Sequence, residues 1–246
     1  MKEPILILGA TSALARHVAA AFARQGHALF LAGRDAVEID RLVQDLKLRF
    51  AVEIAGGPFD AEDYASHADF LRQVLKQTGE LHGVVVAFGY LGQQERAARD
   101  FDECQRIIAR NFTGAVSILN HCADYFEQRR AGFIIGISSV AGDLGRQSNY
   151  LYGSAKAAFS VYLQGLRNRL FFAGVRVLTV KPGFVDTPMT FGLPRLFLVA
   201  SPEQVGEGIV RALHRGNEVV YLPWFWRWAM LVLKLIPDRI RKRLKL

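Results

Sequence analysis

The chain has 246 residues, 51% of them hydrophobic, and its 31 Lys and Arg outweigh 23 Asp and Glu for a formal net charge of +8. That apolar content excludes a disordered, collagenous or low-complexity protein and suits one large α/β domain. Two cysteines, Cys104 and Cys122, leave no disulfide framework and no cysteine-based metal site, the usage of a reducing cytosol.

The charge is unevenly spread. Residues 224–246 hold seven basic residues (Arg227, Lys234, Arg239, Arg241, Lys242, Arg243, Lys245) and one acid, Asp238, so this tail carries +6 and the remainder only +2. A near-neutral body is not built to track nucleic-acid phosphates, and no nucleic-acid partner is expected. Met1-Lys2-Glu3-Pro4 leads into too short an apolar run for a secretory signal, so a cytoplasmic location is expected. The apolar stretch 224–236 contains Arg227 and Lys234 and is too short to span a bilayer.

Taken in chain order, strand-length apolar runs recur at residues 5–8, 29–32, 51–54, 84–87, 133–137, 175–180 and 219–222. They lack polar alternation, the pattern of parallel strands covered on both faces. Helix-length segments alternate with them at 14–25, 36–50, 61–78, 101–129, 151–173 and 202–215. The predicted fold is therefore α/β, a doubly wound parallel sheet of the Rossmann type. Gly26 and Gly174 read as helix C-caps, and Ser201-Pro202 as an N-cap followed by proline at the first helical position. Residues 184–200 form a long apolar connection, read either as a lid over a partly apolar ligand or as an ordinary packed loop.

The first strand runs into Gly9-Ala10-Thr11-Ser12-Ala13-Leu14-Ala15, where a glycine turn and a helix N-terminus can receive a pyrophosphate. Gly9, Thr11, Ser12 and Leu14 are its candidate cofactor contacts. The second strand ends at Gly33-Arg34-Asp35, with no acid at the place that would bind a ribose 2′-hydroxyl and an arginine suited to a 2′-phosphate. NADP(H) is therefore expected in preference to NAD(H), unless Arg34 pairs with Asp35 instead. Asp60 can accept from an adenine amino group or cap the helix that follows.

Ser138-Ser139 precedes Tyr152-Gly153-Ser154-Ala155-Lys156. Tyrosine and lysine four apart share a helix face, so the ammonium can lower the phenol's pKa from about 10 towards neutrality. A phenol so tuned is a general acid or base, with a serine able to orient the same substrate oxygen.

These motifs, in this order, resemble the short-chain dehydrogenase/reductase family over residues 4–222. The resemblance implies a single NADP(H)-binding Rossmann domain over 1–223, with catalytic Ser139, Tyr152 and Lys156 and with Asn111 holding a water in the proton relay. It also implies cofactor contacts from Tyr152 and Lys156, from Gly89, and from a nicotinamide loop at Pro182, Gly183, Val185 and Thr187. Two departures stand out: Val86-Ala87-Phe88-Gly89 replaces the family's Asn-Asn-Ala-Gly, and Ala13 and Ala15 stand where glycines are usual. The implied reaction is hydride transfer between NADPH and a ketone. Relatives associate through helices at the positions of 101–129 and 151–173, which implies a homo-oligomer.

The tail places three tryptophans beside basic residues at 227, 234 and 241, a combination suited to an anionic membrane surface at the inner face. Packing on the body or on another subunit is the competing reading. Together with Phe88-Gly89-Tyr90-Leu91-Gly92, the tail is similar to a branch of the family that reduces a keto sugar carried on a polyprenyl phosphate during cell-envelope synthesis. A catalytically weak NADP(H)-binding sensor or membrane-docked scaffold is the alternative function. The six histidines are scattered, give no metal-ligand cluster, and read as surface or helix residues.

Overall fold

The computed structural model describes residues 2–190 and 198–243. Its strands are β1 Lys2–Leu8, β2 His27–Gly33, β3 Ile54–Pro58, β4 Gly83–Val86, β5 Phe133–Ile137, β6 Arg176–Pro182 and β7 Val219–Leu222. Its helices are α1 Ala13–Arg24, α2 Ala36–Arg49, α3 His67–Thr78, α4 Gln94–Ala97, α5 Phe101–Ile108, α6 Gly114–Arg129, α7 Tyr150–Leu170, α8 Pro202–His214, α9 Trp226–Leu235 and α10 Asp238–Arg241.

The strands form one parallel sheet in the order β3-β2-β1-β4-β5-β6-β7. Successive side chains of a strand face opposite sides, and here both sides are covered. Ile5 and Ile7 join a layer built with α1, α2 and α8, while Leu6 and Leu8 join one built with α3, α6 and α7. Burial on both faces explains why the strands read as unbroken apolar runs.

The expected caps are present. Ser12 Oγ accepts from Ala15 N at 3.2 Å and Ser201 Oγ from Gln204 N at 3.2 Å. Gly26 and Gly174 close helices at φ +85° and +72°. The largest departures from the expected boundaries are three. The third strand is Ile54–Pro58 instead of 51–54, because edge pairing with β2 overrides the poor strand propensity of Gly56, Gly57 and Pro58. The expected helix at 61–78 begins only at His67, after a 3₁₀ turn at Tyr64–Ser66. The expected single helix at 101–129 is broken by a π turn at Ala109–Thr113.

The tail folds onto the body. Trp226 and Met230 are 2% and 1% exposed and pack with Val140, Phe184 and Tyr221. A Cβ on Gly183 would overlap the Trp226 indole, so that glycine is what lets the ring approach the β6 end this closely. The expected cationic stripe is also divided: Lys234 turns inward to Asp143 at 3.4 Å and Arg241 pairs with Asp238. Trp224, Trp228, Val232 and Leu235 stay exposed on the outer face. Among the described residues no helix is long and apolar enough to cross a membrane. Residues 191–197 of the expected lid and 244–246 of the tail lie outside the described residues. The lid's two ends meet, with Ala200 N donating to Phe184 O at 3.0 Å and Asp186 N to Ala200 O at 3.0 Å.

Candidate active site

The strand order reverses between β1 and β4, and a crevice opens at the carboxyl ends of strands where such a reversal occurs. Here that crevice is a continuous cleft of about 550 Å³. Gly9, Thr11, Ser12 and Leu14 line it after β1, Arg34 after β2, Gly89 after β4 and Ser139 after β5. Tyr152 and Lys156 enter from α7, and Pro182, Gly183, Val185 and Thr187 close it after β6. Two expected site residues lie elsewhere. Asn111 sits a layer behind Gly89, and Asp60 stays out of the cleft between the lining residues Phe59 and Ala61. Asp60 Oδ1 accepts from Glu62 N at 3.0 Å, which makes it a turn cap.

At the turn after β1, Gly9 adopts φ +77°, and a Cβ there would lie 2.6 Å from Phe88 N. Only glycine fits both demands. Ala13 and Leu14, in the first turn of α1, line the cleft, so a helix N-terminus borders it as an anion site requires. Arg34 is exposed and has no ion pair among the described residues. Its expected competitor is otherwise engaged, since Asp35 Oδ1 caps α2 by accepting from Glu38 N at 3.0 Å. The cleft thus brings a glycine turn, a helix N-terminus and an exposed guanidinium to one side, a fit for a nicotinamide dinucleotide.

The two adjacent serines separate cleanly. Ser138 is 3% exposed and its Oγ donates to Lys156 O at 3.0 Å, tying β5 to α7. Ser139 Oγ turns to the cleft, accepts from Ala141 N at 3.1 Å and lies close enough to Tyr152 to draw the phenol's pKa down. Lys156 Nζ lies 5.8 Å from the Tyr152 ring centroid and donates to Ile137 O at 3.0 Å.

The electrostatic balance of this pair differs from the sequence expectation. Burial pushes the Tyr152 phenol up to about 12, with Ser139 and Arg146 pulling it down, and burial pushes Lys156 down to about 8. Removal from water favours the neutral form of both groups, which outweighs attraction between their charged forms.

Asn111 owes its position to the π turn, which adds a residue to the helical turn and swings this side chain inward to 1% exposure. Its Nδ2 donates to Tyr90 O at 2.6 Å and Ile107 O at 2.8 Å, and its Oδ1 accepts from Tyr90 N at 3.1 Å. The amide braces the Gly89–Tyr90 segment, and its donors are fully occupied.

Three features of the site region escaped the sequence reading. Arg146 and Asn149 line the cleft near Tyr152, within a polar loop that carries no diagnostic spacing. The side chain of Asp143 is 2% exposed and holds Lys181 at 2.5 Å and Tyr221 Oη at 2.6 Å in addition to Lys234. His67 is fully buried, with Ser117 Oγ at 2.8 Å and Asp60 O at 2.9 Å from its ring nitrogens.

A Rossmann sheet with serine, tyrosine and lysine meeting at its switch-point cleft defines an NAD(P)-dependent oxidoreductase acting on CH–OH groups. The short chain dehydrogenase model matches residues 3–194, and the chain belongs to that family. An uncharacterized oxidoreductase of Mycobacterium tuberculosis is 34% identical over 241 residues, covering 98% of this chain and 96% of that one. Another, of Streptomyces coelicolor, is 34% identical over 246 residues, covering 98% and 95%. Among solved structures, a short-chain dehydrogenase from Sphingobium yanoikuyae in complex with NADPH shares the fold at TM-score 0.80 and 24% identity, covering 96% and 97%.

Proposed function

We propose that this protein is an NADPH-dependent reductase interconverting a ketone and a secondary alcohol, with a lipid-like or polyprenyl-phosphate-linked keto sugar as substrate at an anionic membrane surface. The observation that carries the chemistry is the convergence of Ser139, Tyr152 and Lys156 in one cleft with the amide-lined turn after β1. The reduced nicotinamide, when bound, supplies the hydride to the carbonyl carbon. Tyr152 gives its phenolic proton to the oxygen that gains charge, and Ser139 donates a hydrogen bond to the same oxygen. Lys156, anchored by Ile137 O, has further N–H groups for the cofactor ribose and for proton resupply. With its amide donors occupied, Asn111 serves that relay through an oxygen or as a brace for Gly89. Arg34 supports NADP(H) over NAD(H) because a free guanidinium matches the 2′-phosphate.

The substrate and its location rest on the tail and on similarity to the branch of decaprenylphosphoryl-2-keto-pentose reductase. Trp228, Leu231, Val232 and Leu235 are exposed on α9 and Trp224 just before it, while Arg227, Arg239, Lys242 and Arg243 are exposed in the same tail. Apolar anchors with unneutralised cations fit an anionic leaflet, each cation adding about 1 kcal/mol. Exposed Val161, Phe171 and Phe172, on and just after α7, suit association with a second copy. The decisive experiment is Tyr152→Phe, expected to keep NADPH binding by fluorescence titration and to lose about 100-fold or more of ketone reduction. Near-normal turnover would overturn the mechanism.

A further inference from the structure

Among the described residues, the loop joining β5 to α7 leaves two polar groups without partners beside the reacting phenol. A helix beginning after asparagine ordinarily uses that side chain to accept an N–H of its first turn. Asn149 stands at that position before α7 and makes no such bond. The N–H of Leu151 is instead taken by Gln94 Oε1 at 3.0 Å, an acceptor delivered by α4. Asn149 Oδ1 is thereby released, and it is buried without a hydrogen-bond partner. Three residues earlier, Arg146 Nε is buried in the same condition, and its guanidinium has no carboxylate partner among the described residues. Both residues line the cleft.

Buried donors and acceptors are ordinarily satisfied, so an orphan guanidinium N–H and an orphan carbonyl oxygen together describe the ligand that completes them. The anionic groups of a dinucleotide are provided for elsewhere, by the α1 amides and Arg34 at the β1 and β2 ends. Asp35 is the acidic residue lining the cleft, and it is committed to capping α2. Burial lowers the Arg146 guanidinium from its ordinary range, and the effect of Tyr152 opposes this only in part. Arg146 is thus a cation prepared for a charge that the described residues do not supply.

We infer that Arg146 and Asn149 form a substrate subsite that binds an anionic group through the guanidinium and a neighbouring hydroxyl through Asn149 Oδ1, so that the enzyme selects hydroxylated ketones bearing a phosphate or carboxylate. The inference rests on the reductase reading for the carbonyl and not for the subsite. A flat guanidinium matches either anion with paired N–H donors, and the hydroxyl donates to the amide oxygen.

Four ketones separate the contributions: ribulose 5-phosphate, ribulose, levulinate and pentan-2-one. Binding is measured by calorimetry on the full chain loaded with NADP⁺, and reduction is followed with NADPH. Wild type is expected to bind both charged probes more tightly than their neutral counterparts. Arg146→Gln should weaken ribulose 5-phosphate and levulinate by about 10- to 100-fold while leaving ribulose and pentan-2-one within about twofold. Asn149→Ala should weaken the two sugars and spare levulinate. Arg146→Lys, which keeps the charge, should recover part of the loss, and unchanged thermal melting establishes that the variants fold. A larger loss for ribulose 5-phosphate than for levulinate identifies phosphate as the anion, and the reverse identifies carboxylate. Equal weakening of charged and neutral probes, or no preference for charge in wild type, overturns the subsite. Charge-dependent binding without reduction of any ketone overturns the reductase reading and leaves the subsite standing.

Discussion

Burial pushes the Tyr152 phenol up and the Lys156 ammonium down, and this gives the free protein an alkaline stability profile with two limbs. The folded Lys156 pKa is about 8, against an ordinary 10.5. Between those values the unfolded chain binds more protons, so stability rises with pH across that window, and below about 8 the full penalty applies. Tyr152, at about 12 against an ordinary 10, stays protonated while the unfolded chain ionises, so stability falls from about pH 10 to 12. Lys156→Met is expected to flatten the rise and stabilise the protein at pH 7 by on the order of 3 kcal/mol, read from urea midpoints at pH 7 and 9.5. Arg34→Glu should reverse the coenzyme preference, costing NADPH about 10- to 100-fold in kcat/KM while sparing NADH, because a carboxylate repels the 2′-phosphate and accepts from a 2′-hydroxyl. Comparing rates with the two coenzymes settles it. The spacing of Tyr152 and Lys156 was legible in the sequence because one helical turn fixes it. Arg146 and Asn149 were not, since their exposure to the cleft depends on Gln94, 57 residues from Leu151.

Among the elements, the π turn and α9 carry the most meaning for the site. Asn111 could be picked out by resemblance, yet the inserted residue that aims it at Tyr90 leaves no mark in a sequence that reads as one continuous helix. The alternation of strands and helices was clear throughout, since two-sided burial demands apolar runs; β3 was misplaced because Gly56 makes sense only under the side chains of Ile39 and Val43, and Gly57 only against the Phe30 ring. In the tail, Trp224, Trp226 and Trp228 look alike in sequence. Positions two apart on a helix are about 200° apart, so Trp226 serves the body while Trp228 faces outward, and Trp224, before the helix begins, is exposed as well. Trp226→Ala should destabilise the protein by about 3 to 5 kcal/mol and lower ketone reduction as the Gly183–Phe184 segment loses its support. The melting temperature and kcat, measured together, test this, and the same substitution at exposed Trp228 should leave both unchanged.

For the whole molecule, the packing of α9 decides how membrane docking must be tested. Removing residues 224–246 would strip Trp226 and Met230 from the body as well as any anchor, so lost binding would have two causes. Leu231→Asp with Leu235→Asp alters only the exposed face. The pair is expected to abolish sedimentation with vesicles of anionic phosphatidylglycerol while leaving melting and reduction of a water-soluble ketone intact. Retained sedimentation would remove the membrane from the proposal. The division of net charge between body and tail was readable from the sequence; that one helix buries Trp226 and Met230 while leaving Trp228, Leu231, Val232 and Leu235 exposed emerges only when it is folded.

Asp143 lies four residues after Ser139, and on its one carboxylate meet a lysine of β6, a tyrosine of the edge strand β7 and a lysine of the outermost helix. The turn bearing the serine and the seat of α9 are therefore joined twice, by this carboxylate and by Val140 packed against Trp226 and Met230, so a displacement of the outer helix is carried into the turn that holds Ser139.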